Sequence, residues 1–330
     1  MESHPDSSVF HTPPYLEALR RTYGYGPTVY TTSSPEEPLA NGVVLCRVSS
    51  WLTGSRLVSV PFADHCQPLV RDANDLAAIM SAVQKTVEDG KLKYAQIRAM
   101  RPDVEAVAAS GDQGRVFGFH TLDVTPPVDR LFSGLHKTCI QRPVRRAERE
   151  GIRHESGRSR RLLQEFYSLL IVTRRRHGLP PQPVSWFDNL VECLGDRLTI
   201  HLASCGSQPI AGILTLRHRD VLVYKYGASD ERFHRLGAMP FLLWQAILDA
   251  KARGLSVLDL GRTDADNAGL ATFKERLGAT RSTLVYVRLA RTSRRVGREK
   301  PRVPGASRVF ARLPDELLVA AGKLLYRHMG

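Results

Sequence analysis

The sequence lacks the features that mark most membrane-spanning, secreted and metal-dependent proteins. None of its apolar runs approaches the roughly eighteen residues that cross a bilayer. The opening MESHPDSSVFHTPP has no basic segment leading into an apolar one, so it does not read as a secretory signal, and a cytoplasmic address is the expectation. Cysteine is sparse and odd in number: Cys46, Cys66, Cys139, Cys193 and Cys205 form no C-x-x-C pair and have no histidines at zinc spacing. A disulfide framework is thereby excluded, the cysteines read as reduced packing residues, and no metal or permanently bound cofactor is expected. Nucleotide-binding glycines are missing too, since YGYGPT lacks the third glycine and the strand-to-helix setting of a dinucleotide site. Aromatic residues make up only 7% of the chain, and no RNA-reading module with interleaved aromatics is present.

What is present is an ordinary globular composition, 42% apolar and 24% charged over 330 residues. That length predicts two domains, each able to bury a core. Lys and Arg exceed Asp and Glu by 47 to 33, a formal charge of +14. The excess is local: residues 130–161 and 291–330 each hold ten basic and three acidic side chains, and the remainder of the chain is balanced.

Periodicity supplies the elements. NGVVLCRVSSWL and SRLVSVPFADH read as a hairpin turning at Thr53 and Gly54. DANDLAAIMSAVQKTVEDG has a helical apolar period closed by Gly90, and KLKYAQIRAM reads as a strand. LHKTCIQRPVRRAEREG predicts a basic helix with Pro143 in its first turn. Two helices follow, then three strands, a helix from about 237 to 253, the strand SVLDLG, a helix from about 268 to 277 and the strand RSTLVYVRL. This order resembles the acyltransferase fold of the GNAT superfamily. The expected class is therefore α/β (α+β), with two GNAT-like domains of mixed sheet and flanking helices. The expected boundaries are 1–135, a basic connecting helix 136–151, a second domain 152–290, and a basic linker with an amphipathic helix at 291–330.

Candidate chemistry gathers near the end of this second domain. Ligands of partly parallel sheets bind at the carboxyl ends of strands, which selects Asp259 and Arg262 in LSVLDLGRT. Whether Asp259 faces inward or outward is open, as is a plain ion pair with Arg262. In the following helix Leu270, Phe273 and Leu277 define an apolar arc, with Asn267 as N-cap and Lys274 about 40° from Leu270. A lysine there must snorkel outward or meet an anion. No Ser-His-Asp or Cys-His arrangement is readable, and His201, His218 and His234 read as isolated surface or packing residues.

KYGASDERFHRLGAMPFLLW, D-x-G-R and F-K-x-x-x-G-A occur in that order. With the basic helix and the S-x-P-F of RLVSVPFADHCQPL, they resemble the FemAB-related family over most of residues 10–290. The resemblance implies two GNAT-like domains and an enzyme that forms amides. Its best-understood members carry aminoacyl groups from aminoacyl-tRNA to a peptidoglycan precursor. An amine attacking an activated acyl carbonyl creates an oxyanion that needs a donor or cation. The resemblance assigns Lys274 to that role, with Arg262 as a positioning residue and Tyr226 and Asp259 toward the acceptor. Absence of a covalent nucleophile favours direct attack in a ternary complex. Gly237 and Ala238 stand where GNAT proteins hold the pyrophosphate of coenzyme A at a helix N-terminus. HRLGAM has one glycine where the family pattern has two, which counts against tight coenzyme A binding. The donor is expected to be aminoacyl-tRNA or acyl-CoA, and the acceptor an amine of an envelope or exopolysaccharide precursor. The alternatives are an acetyl-CoA-dependent N-acetyltransferase of a small amine, and a non-catalytic RNA- or membrane-binding module.

The two basic segments carry their own readings. Arg145, Arg146 and Arg149 share a helix face, either simply solvated or in contact with phosphates of a tRNA acceptor arm, a diphospho-sugar carrier or coenzyme A. The helix LPDELLVAAGKLLYRHMG presents Leu317, Leu318, Ala321, Leu324 and Leu325 on one side. That side either docks on the protein or lies on an anionic membrane surface.

Overall fold

Turn residues and apolar period place most of the elements where they form, beginning with the hairpin near residue 50. The computed structural model describes residues 2, 4–100, 112–291 and 306–330. The chain divides into two compact units, 1–117 with 283–301 and 323–330, and 118–282 with 302–322. The basic helix therefore falls within the second unit. The arginine-rich stretch 292–305 lies outside the described residues.

In the first unit, helix α1 (Pro13–Tyr23) precedes strands β1 (Pro27–Tyr30), β2 (Val43–Val48) and β3 (Arg56–Val58). Helix α2 (Ala73–Asp89) and strand β4 (Tyr94–Ala99) follow. β1, β2 and β3 pair antiparallel in sequence, while β3 and β4 run parallel, as the intervening α2 crossover requires. Asp72 caps α2 by accepting from Asn74 N and Asp75 N. Leu76, Ile79, Met80, Val83 and Val87 form the buried stripe of α2, packed on Leu45, Ile97 and Val287.

The second unit receives the end of β5 (Asp112–Asp123), then α3 (Val128–Gly134) and, after a π turn, α4 (Arg142–Arg149), with Pro143 in its first turn. The next elements are β6 (Arg153–Gly157), α5 (Arg160–Arg176), α6 (Val184–Leu194), β7 (Leu198–Cys205), β8 (Gln208–His218) and β9 (Val221–Ser229). The chain continues through α7 (Ala238–Ala252), β10 (Val257–Thr263), α8 (Ala268–Arg276) and β11 (Thr280–Ala290), which passes into the first unit and pairs there with β4. β6 to β9 form an antiparallel meander, β9 and β10 run parallel, and β10 pairs antiparallel with β5. One core of this unit joins Val144 and Ala147 of α4 and Leu242, Trp244 and Ile247 of α7 to Ala211 and Ile213 of β8. α5 and α6 contribute a second cluster, in which Phe187 meets Phe166, Tyr167 and Tyr226 edge-on.

After α9 (Ala306–Phe310), α10 (Asp315–Tyr326) closes the chain. Its first half docks on the second unit: Leu318 is fully buried, Asp315 pairs with Arg175, and a Cβ on Gly322 would collide with Pro181 O. Its end serves the first unit, where Tyr25 Oη donates to Arg327 O at 2.9 Å and Arg56 Nη2 to Gly330 O at 2.6 Å. Docking on the protein thus accounts for Leu318, but Leu317 and Leu324 turn outward, 56% and 60% exposed. The expected single apolar side is in fact two stripes. Among the described residues, no helix is long and apolar enough to cross a membrane.

Candidate functional site

β9 and β10 pair in parallel at three positions, Val221 with Val257, Leu222 with Leu258 and Val223 with Asp259. At that level each strand carries a bulge against its other neighbour. On β9, Tyr224 and Tyr226 oppose the adjacent residues Thr215 and Leu214, leaving Lys225 unopposed. On β10, Asp259 and Gly261 oppose the adjacent Thr121 and His120, leaving Leu260 unopposed. Gly261 has φ +71°, a left-handed conformation that suits glycine, and its N–H donates to Asp259 Oδ1 at 2.7 Å. Asp259 is thus buried as the cap of a bulge. Bulges bend strands and increase twist. Beyond this level β9 stays with β8 and β10 with β5, and the two parallel neighbours part.

The β9 bulge also sends Tyr224 and Tyr226 to opposite faces. Tyr226 enters the α6 cluster, where its hydroxyl accepts from Trp186 Nε1 at 2.9 Å and the residue is 9% exposed. Tyr224 packs toward the α7 side, and burial pushes its phenol up to about 12, so it is a neutral donor.

The corner where β10 meets α8 is closed. Asn267 Oδ1 accepts from Leu270 N at 3.1 Å, the expected cap. The predicted arc is rotated, however: Leu270 is 38% exposed while Lys274 is 4% exposed. Lys274 Nζ donates to Gly261 O at 3.0 Å, Arg262 O at 3.0 Å and Thr263 Oγ1 at 2.9 Å. Three protons meet three neutral acceptors, so the ammonium does not snorkel. The reason is local: the bulge turns successive carbonyls toward the helix. Beside this group His120 Nδ1 lies 3.3 Å from Thr263 Oγ1. Burial, then the charges of Lys274 and Arg281, hold that imidazole below the ordinary histidine range.

The corner where β9 leads into α7 is open. Among the described residues, a cavity of about 240 Å³ lies there, floored by Ile210 and Ala211 of β8. Ser229, Asp230 and His234 form its polar wall, and Phe233, Ala238, Met239 and Pro240 its apolar one. Asp230 binds Arg232 through both carboxylate oxygens at 2.6–3.0 Å, which holds its carboxyl below the usual range. His234 Nε2 lies 2.9 Å from Ser229 Oγ and 3.2 Å from Arg176 Nη1. Gly237 links the 3-10 turn 231–236 to α7 at φ +77°, and a Cβ there would sit 2.5 Å from Pro143 O. Only glycine fits, and the approach brings the basic helix to this corner. Arg146 Nη1 donates to Arg235 O at 2.9 Å, Arg145 lies over the Phe132 ring at 5.3 Å, and Arg149 is exposed.

Of the residues selected from sequence, Ala238 lines the cavity and Gly237 sets its rim. Lys274, Asp259 and the carbonyl of Arg262 come together at the β10 bulge, whereas Tyr226 lies in the α6 cluster. Ser229, His234 and Arg176 were missed. Ser229 and His234 are five residues apart across a strand-to-turn junction, and Arg176 comes from another helix, so spacing alone did not single them out.

Residues 136–275 match the model of the acetyltransferase (GNAT) domain, and the protein is an acyltransferase carrying that domain. Its fold is also that of FemX, a FemAB-family protein, with 14% identity, 87% of this chain and 94% of the other covered, and a TM-score of 0.67. L-PGS from Bacillus licheniformis is similar at 15% identity, with 91% and 96% covered and a TM-score of 0.58. The C-terminal domain of a putative lysylphosphatidylglycerol synthetase from Agrobacterium fabrum is similar at 11% identity, with 93% and 91% covered and a TM-score of 0.58. At these identities the likeness is one of fold. No curated protein matches the chain in sequence.

Proposed function

We propose that the protein joins an acyl or aminoacyl group to an amine of a cell-envelope or exopolysaccharide precursor, by direct attack in a ternary complex. The observation that carries this reading is the cavity where β9 leads into α7, inside the segment that matches the GNAT domain. Strand edges that part leave backbone groups for an extended amide-containing donor arm, and the first turn of α7 adds free N–H groups and the positive end of its dipole. The exposed face of Arg145, Arg146 and Arg149 would meet the phosphates of coenzyme A or of a tRNA acceptor arm. Lys274 serves the site by its charge and by fixing the end of β10 beside Arg262, since its protons are already taken. The fold neighbours include a putative lysylphosphatidylglycerol synthetase, which favours an aminoacyl donor.

The outward stripe of Leu317, Ala320 and Leu324, next to Arg312, Lys323 and Arg327, suits contact with an anionic membrane that presents a lipid-linked acceptor. Thermal unfolding with acetyl-CoA and with mixed aminoacyl-tRNA tests the donor. Protection by aminoacyl-tRNA is expected. Protection by acetyl-CoA alone would replace this reading with a small-amine N-acetyltransferase, and protection by neither would exclude both of these donors.

A further inference from the structure

Two side chains, Arg176 and Ser229, fix the state of one histidine at the cavity wall. A guanidinium only donates, so at the 3.2 Å contact with Arg176 Nη1 the Nε2 of His234 presents its lone pair. The neutral ring then carries its proton on Nδ1. The Ser229 hydroxyl, 2.9 Å from the same Nε2, rotates to donate to it, and its own lone pairs turn away from the ring. Ser229 and His234 both line the cavity. The strand end that carries the hydroxyl is pinned: Ser229 N donates to Thr173 Oγ1 at 2.8 Å, and Thr173 Oγ1 donates to Ser229 O at 3.0 Å.

We propose that His234, acting through the Ser229 hydroxyl, takes the proton of the acceptor amine during acyl transfer, a role that rests on the amide-forming reading above. As the amine lone pair forms the C–N bond, its N–H proton passes to Ser229 Oγ, and the serine proton passes to His234 Nε2. The carbonyl electron pair moves onto oxygen and returns as the leaving group departs with its bonding pair. The imidazolium then gives its proton to that leaving group or to water. Ser229 touches the substrate, and His234 is the group behind it. Arg176 is exposed at the surface and is free to withdraw as Nε2 gains a proton.

The charged groups acting on the ring are Arg176 from α5, Asp230 just after β9 and Glu231 from the 3-10 turn. Asp230 is committed to Arg232. Burial, then Arg176, hold the imidazole below its ordinary range, against weaker pulls from Glu231 and Asp230. A histidine so placed is unprotonated at neutral pH and ready to accept.

The test has two arms. Long-range ¹H–¹⁵N spectra of ¹⁵N-histidine protein, with His234 assigned by its loss in His234→Asn, should show Nε2 unprotonated at pH 7.5. The titration midpoint should be below that of free histidine and should move in Ser229→Ala. An Nε2–H tautomer, or a midpoint indifferent to Ser229→Ala, overturns the proposal. In the second arm, wild type, His234→Asn, Ser229→Ala and Ser229→Thr are assayed with the donor that protects the protein, against methylamine and against hydroxylamine. Hydroxylamine is unprotonated at neutral pH, and the nitrogen of its adduct is acidic enough to lose its proton to water without help from a base. His234→Asn and Ser229→Ala should lose about 10²–10⁴-fold toward methylamine, keep most transfer to hydroxylamine, and recover in Ser229→Thr. Equal loss toward both amines means a structural role and overturns the proposal. Wild-type failure toward both amines instead removes the amide-forming reading, and the spectra still decide the state of the ring.

Discussion

Two neighbouring strand ends of the second unit meet the same demand in opposite ways. At the end of β10, a buried lysine spends all three protons on two carbonyls and a hydroxyl. At the end of β9, a serine and a histidine line a cavity, an arginine stands against the histidine, and the histidine nitrogen is the acceptor. In the proposed roles, the saturated cluster fixes the end of β10, because any new partner must displace an old one. The cluster beside the cavity gains room for a substrate proton when the exposed Arg176 withdraws.

The sharpest break of this contrast is a pair of substitutions. Lys274→Met should cost about 3 kcal/mol in stability, since it leaves two buried carbonyls and a hydroxyl without their donor. His234→Asn should leave stability within about 0.5 kcal/mol while transfer to methylamine collapses. Urea denaturation of both variants checks this. Equal destabilisation would erase the distinction between the two corners.

Two histidines of the same unit sharpen it. His201 is fully buried, 3.2 Å from His154 and 3.3 Å from Thr215 Oγ1, and burial lowers it to about 4, with the charge of His154 acting in the same direction. The unfolded chain therefore binds the extra proton first. Stability is complete above about pH 6.5 and falls as pH drops toward 4, by up to roughly 3 kcal/mol for a shift of this size. Denaturation at pH 7.5 and pH 4.5 should show the drop, and His201→Gln should flatten it.

Gly237→Ala introduces a Cβ 2.5 Å from Pro143 O at φ +77°. It should cost about 2 kcal/mol and weaken donor binding, because α4 and the start of α7 must separate. Calorimetry with the protecting donor measures both. The smallest effect on folding is expected for Leu317→Ser with Leu324→Ser, within about 0.5 kcal/mol for exposed positions. Flotation with phosphatidylglycerol vesicles should nonetheless lose the double variant. Equal flotation of both proteins would remove the membrane reading of that stripe.

The comparison also shows what a sequence can carry. The amphipathic period gave α2 and the order from α5 to β11, and Asn267 and Pro143 marked helix starts correctly, because period and caps are local properties. β5 and β6 were not read, since GDQGRVFGFHTLD and RHESG lack a clean alternation. The rotation of α8 was hidden for a different reason. Lys274 goes inward only because a bulge at Asp259 and Gly261 aims carbonyls at it, and a bulge is a property of two paired strands. The pairing of Ser229 with His234 and Arg176 likewise depends on a turn and on a distant helix.

Hydrogen exchange with and without the protecting donor tests the central claim most directly. The account predicts slowed exchange across 224–240, at the end of β9 and the start of α7, with 261–276 unchanged. Protection concentrated at 261–276, with 224–240 unaffected, would place the chemistry at Lys274 and contradict it.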